Sequence, residues 1–192
     1  MEDQMDIGST ELGERDGLPD ALSVLLKEYP RDIWETSPGF NGLIRFWLDR
    51  HMMFRRLLGM LTTETEKRLD QNTDPMVFKE RVSRFGSLLV GELHGHHNIE
   101  DAHYFPVLAK KDPRITRGFD ILDRDHHALD GILNRYVETA NAVINANAES
   151  TREIGMFLQE TRGLELLLSR HLIDEEELVV PIILKHGAGG LS

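Results

Sequence analysis

The sequence contains no cysteine. Disulfides, thiolate metal sites and cysteine nucleophiles are excluded together. Any metal must be held by nitrogen and oxygen, which rules out zinc-finger and iron–sulfur chemistry. A basic run is also missing: Asp and Glu outnumber Lys and Arg by 33 to 22, for a net charge of −11. A chain of that sign is a poor partner for nucleic acid or an anionic membrane surface. No apolar run approaches the ~20 residues of a membrane span. The start, Met1-Glu2-Asp3-Gln4, has neither the basic residues nor the apolar core of a secretory leader. These absences lead us to expect a cytoplasmic protein without nucleic-acid or membrane partners.

Period-two alternation is absent too, so no strand is expected. What remains is 192 residues, 40% hydrophobic and 29% charged, enough for one domain with a real core. Residues 1–17 are rich in Glu, Asp, Gly and Ser and are expected to be poorly ordered. Pro19 to Glu28 reads as a short helix, and Tyr29 to Gly42 as a loop held down by Trp34. Four long helices follow. The first runs from about Leu43 to Leu69, with Ile44, Trp47, Leu48, Phe54, Leu58 and Leu61 on one face. The second runs from Pro75, capped by Asp74, to about Lys110, with Pro106 kinking or loosening its end. Gly86, Gly91 and Gly95 within it weaken the helix or allow close approach of a neighbour. The third spans about Gly118 to Ala146. The fourth starts at a capping box, Ser150-Thr151-Arg152-Glu153, and continues to about His186, with Gly187 as the residue that ends it. Long helices and short loops predict an all-α, up-down-up-down antiparallel four-helix bundle. Its expected layout is an extension over 1–40 with the short helix, a bundle over 41–187 and a tail over 188–192.

The helices carry an internal repeat. His96 and Glu100, with Pro106, recur 75 residues later as His171 and Glu175, with Pro181. His51 and His126 are also 75 apart, and each lies 45 residues before one of the other two histidines. Flanking apolar positions agree: Phe54 with Leu129, Leu58 with Leu133, Leu89 with Leu164, Leu93 with Leu168. One helical hairpin is written twice. A His and a Glu four apart share one helical face, and two such half-sites make a metal site. In an antiparallel bundle His51 and His96 each lie about 30 Å from the turn that joins their helices, as do His126 and His171. Four imidazoles and two carboxylates then meet at one level. The alternatives are surface His–Glu pairs and duplication without a metal. They leave polar groups on apolar faces, each costing roughly 1–3 kcal/mol if buried alone.

These residues resemble the hemerythrin-like, or HHE cation-binding, family. The resemblance rests on His51, on His96-His97-x-x-Glu100-Asp101 with Phe105-Pro106, on Asp125-His126, and on His171-x-x-x-Glu175-Glu176 with Pro181. It implies a non-haem di-iron centre, oxo- or hydroxo-bridged, within a four-helix bundle. His51, His96, His126 and His171 would be terminal ligands, and Glu100 and Glu175 would bridge the two irons. Two six-coordinate irons offer about 12 positions, of which about two stay open for a further ligand and an incoming molecule. Candidates for that ligand or its pocket are His103, on the same expected inward face as His96 and Glu100, and His97, His127 and Asp130. Asp130 stands where oxygen carriers of the family have a second His; it is read either as a ligand or as a partner of Arg55.

The expected function is binding, sensing or reacting with oxygen, peroxide or nitric oxide. Metal and small-ligand binding is favoured over a dedicated enzyme, with peroxidase- or oxidase-like activity left open. The alternatives are an iron-homeostasis protein, or a zinc or mononuclear structural domain acting through protein partners. Zinc or another divalent ion in place of iron, and a monomer or a homodimer, also stay open.

Overall fold

The structure is a computed structural model that describes residues 9–40, 42–147 and 150–191. The described residues are helical and contain no strand. A 3-10 turn at Asp20–Leu22 leads into α1 (Val24–Glu28), so the expected short helix is broken at Ser23. A second 3-10 turn, Arg31–Ile33, precedes buried Trp34, whose indole N–H donates to the Tyr29 carbonyl at 2.7 Å. Next come α2 (Gly42–Leu69) and α3 (Pro75–Ile99). A π turn (Glu100–Tyr104), α4 (Phe105–Leu108), a 3-10 turn (Pro113–Ile115), α5 (Thr116–Asn145) and α6 (Thr151–His186) complete the chain.

The helix ends follow local chemistry. The Asp74 carboxylate accepts from the amides of Met76 at 2.8 Å and Val77 at 3.1 Å, and Pro75 fills the first helical position. Gly187 takes φ 75°, and its amide reaches the Ile183 carbonyl at 2.8 Å. At the start of α6 the Ser150 hydroxyl donates to the Glu153 carboxylate.

The expected second helix is not continuous. The Phe105 amide bonds to the Glu100 carbonyl, five residues back rather than four. This extra residue in one turn precedes Pro106, which has no amide hydrogen to give. Pro181 lies inside α6 without such an interruption. Of the three glycines noted in α3, Gly86 does permit close approach: a Cβ there would stand 3.0 Å from the Tyr136 hydroxyl oxygen. Gly91 and Gly95 face open space.

The chain divides into two compact units. The first comprises Met1–Asp49, Asn98–His127 and Arg170–Ser192; the second comprises Arg50–His97 and Ala128–Ser169. The core of the first joins Leu25, Trp34, Ile44 and Trp47 to Phe105, Leu108, Ile115, Phe119 and the α6 run Leu178 to Ile183. In the second, Phe54, Leu58, Leu61, Phe78, Val82, Leu89, Leu129, Leu133, Tyr136 and Phe157 are buried.

One terminal expectation is corrected. Residues 1–8 lie outside the described residues, but 9–17 are tied down rather than loose: Leu12 and Arg15 are buried. An arginine with two carboxylate partners outweighs the polar composition that argued for disorder. At the other end, described residues after α6 pack back onto the chain. Leu191 joins the first unit's core, and Lys111 Nζ donates to the Gly189 carbonyl at 2.9 Å. No described helix is long and apolar enough to cross a membrane.

Candidate metal centre

The six expected ligands divide between the units. Glu100, His126, His171 and Glu175 belong to the first, and His51 and His96 to the second. His51, Glu100, His171 and Glu175 are fully buried, His126 is 3% exposed and His96 is half-buried.

In the first unit, α5 supplies His126 and α6 supplies His171 and Glu175 one turn apart. The π turn begins at Glu100. His126 Nε2 and His171 Nε2 stand 3.1 Å apart with rings edge to face. Glu100 Oε2 lies 3.6 Å from His126 Nε2, and Glu175 Oε2 lies 3.7 Å from His171 Nε2. Each Nδ1 faces away, toward a carboxylate: Asp101 Oδ1 at 2.8 Å from His126, and Asp125 Oδ2 at 3.2 Å from His171. A carboxylate accepts, so these contacts assign the hydrogen to Nδ1 and leave the Nε2 lone pairs aimed at one point. That is how metal-binding histidines are commonly held. Phe105 stacks on His126 at 5.4 Å, and the Trp47 indole N–H donates to Glu175.

The charges suit a cation. Burial, then the neighbouring Glu175 carboxylate, pushes the Glu100 carboxyl well above its ordinary value. Burial lowers His171, favouring the neutral imidazole that a metal requires. Two buried carboxylates with oxygens within 4.8 Å of each other repel when ionised. A multivalent cation held by these carboxylates and imidazoles would offset both the repulsion and the burial. The donor set is nitrogen and oxygen only, which fits iron, zinc and similar divalent ions.

The second unit repeats half of this arrangement. His51 Nε2 and His96 Nε2 stand 3.0 Å apart, rings edge to face at 85°, with Phe54 5.3 Å from His96. His97 is buried with its ring 5.9 Å from that of His96.

The other candidates are placed outside. His103 is exposed; the expectation of an inward face assumed an unbroken α-helix, and the π turn after Glu100 shifts the register by one residue. His127 is exposed, with Nδ1 2.9 Å from the Asp123 carbonyl oxygen of its own helix. Asp130 is exposed, 3.9 Å from His94, which is exposed as well.

Sequence reasoning missed Arg15, Asp174 and the role of Asp125. Arg15 Nε donates to Asp174 Oδ2 at 2.9 Å and Nη1 to Asp125 Oδ1 at 2.9 Å, while Nη2 reaches Asp125 Oδ2. Burial works against ionisation of Asp125, but the hydrogen bonds from Arg15 and His171 outweigh it, and the carboxyl lies below its ordinary range. Nothing in the polar run around Arg15 signals such a contact.

Comparison with known proteins places these residues in context. The Hemerythrin HHE cation binding domain family matches residues 42–183. No curated protein and no solved structure matches the chain.

Proposed function

Because the chain belongs to the hemerythrin HHE cation-binding family, we propose that it is a non-haem di-iron protein. It binds, senses or reacts with a small molecule, namely oxygen, peroxide or nitric oxide, at an open iron position. In this reading α2, α3 with α4, α5 and α6 form an antiparallel up-down-up-down bundle. His126 and His171 would hold one iron, His51 and His96 would hold the other, and Glu100 and Glu175 would be available to both. The observation that carries the proposal is the repeated imidazole pair. The same Nε2-to-Nε2 approach occurs at 3.1 Å and at 3.0 Å in two halves of a duplicated sequence, and in the first it is joined by two buried carboxylates.

When bound, iron supplies the open position and the redox chemistry. The protein's own residues do the rest. Asp101 and Asp125 fix the imidazole orientation by accepting from Nδ1. Trp47 holds Glu175 by its indole N–H. Buried Phe105 stacks on His126, and buried Phe54 lies against His96, which makes each imidazole's neighbourhood partly apolar.

The test is the visible spectrum of iron-loaded protein before and after azide or peroxide. The reading requires a yellow-to-brown protein with a charge-transfer band that changes on addition. Colourless protein with one zinc per chain would instead support a structural domain. Iron that ignores both reagents would support an iron-homeostasis protein.

A further inference from the structure

The N-terminal arm ends in a contact that the metal-site reading does not use. Within the first unit, Arg15 is 7% exposed, and its guanidinium bridges two buried carboxylates from different helices: Asp125 of α5 and Asp174 of α6. Each neighbours an expected ligand in sequence, Asp125 beside His126 and Asp174 beside Glu175. Asp125 also receives the Nδ1 hydrogen of His171. A chain of contacts therefore runs from the arm through a carboxylate to an imidazole.

The arm is pinned on either side of Arg15. Arg15 Nη1 donates to the Thr10 carbonyl at 2.8 Å, and Arg124 Nη2 reaches the Thr10 hydroxyl at 3.2 Å. Arg170 donates through Nη1 to the Asp16 carbonyl and through Nη2 to Asp174 Oδ1, both at 2.6 Å. A planar guanidinium with several donors can satisfy two carboxylates at once, which a lysine ammonium does less well.

We propose that residues 9–17 form a clamp on the metal centre, with Arg15 as a positioning residue that holds Asp125 against His171. The inference rests on the metal-binding reading above. It adds that metal capture and arm docking are coupled: a docked arm presents His171 correctly, and by reciprocity a bound metal holds the arm down. Residues 9–17 thereby act on the buried centre.

The wild-type protein provides the first test. Hydrogen exchange of the 9–17 amides is measured in metal-free protein and in protein loaded anaerobically with ferrous ion, with iron content checked by elemental analysis. Coupling predicts that exchange in 9–17 slows by about 10–100-fold on loading, the range in which partners of metal ligands change affinity. The second test is ferrous-ion affinity of Arg15→Gln and Arg15→Lys in the full chain. Affinity should fall by about 10–100-fold in Arg15→Gln and by less in Arg15→Lys. Iron-loaded wild type whose arm exchanges at the metal-free rate overturns the clamp and leaves the metal-site reading standing. So does a folded Arg15→Gln protein with wild-type affinity. A wild-type chain that takes up no iron overturns both.

Discussion

The pairs His126–His171 and His51–His96 are the same structure built twice with different surroundings. Their Nε2 atoms approach to 3.1 and 3.0 Å, and their ring centres to 4.8 and 5.0 Å. The positions around them have diverged. Asp125, which accepts from His171, has Arg50 as its counterpart 75 residues earlier, a side chain with donors only. Arg50 pairs with Glu92 at 2.5 Å. Asp174 has Ile99 as its counterpart. The ends of the two motifs differ as well. His103, within the π turn, is exposed, whereas its counterpart Leu178 in unbroken helix is buried. Both pairs share the Nε2 geometry, while Asp125 and Asp174 beside one pair stand opposite Arg50 and Ile99 beside the other.

The largest expected effect comes from removing what the two pairs share in the proposed site. Glu100→Ala should cost most of the bound iron by elemental analysis, and so should His96→Ala or His171→Ala. If only the His171 variant lost metal, the pairs would not be functional equivalents. Next comes the difference between Asp125 and its counterpart Arg50. Asp125→Asn should weaken ferrous-ion binding by about 10–100-fold, as for other partners of metal ligands. Arg50→Ala, at the counterpart position, should change it far less. Equal losses would mean that the two surroundings matter alike.

A smaller effect concerns the metal-free protein. Glu100 has a folded-state value raised well above the ordinary 4.5 by burial and by Glu175. Its contribution to stability is therefore fully present below about pH 4.5 and is lost as pH rises through the folded value. Metal-free wild type should lose thermal stability across that interval, and Glu100→Gln should lose less. Bound metal should reverse the wild-type loss, because it stabilises the ionised carboxylate. The smallest effects belong to the exposed candidates. His94→Ala, His103→Ala and Asp130→Asn should leave iron content unchanged and alter stability by no more than about 0.5 kcal/mol in thermal unfolding.

Much of this was legible in the sequence because it is local or periodic. The long helices follow the 3.6-residue spacing of Ile44, Phe54, Leu58 and Leu61. The α3 start follows from Asp74 and Pro75, and the α6 end from Gly187 with φ 75°. The repeat of 75 residues pointed to both imidazole pairs. What escaped was non-local or depended on one inserted residue. Pro106 and Pro181 occupy equivalent positions, yet only Pro106 follows a π turn, and that turn moved His103 outward. Arg15 sits in an acidic, glycine-containing run that composition assigns to solvent. Its partners are 110 and 159 residues away, beyond the reach of any local pattern.

The most direct test of the central claim is iron per chain by elemental analysis of protein purified from iron-supplied cells. The proposed reading, in which each imidazole pair holds one ion, predicts about two irons per chain, from the ligand count of two histidines per ion. One zinc per chain, or well-folded protein without metal, would contradict the di-iron account and leave the six residues to serve the fold or a partner.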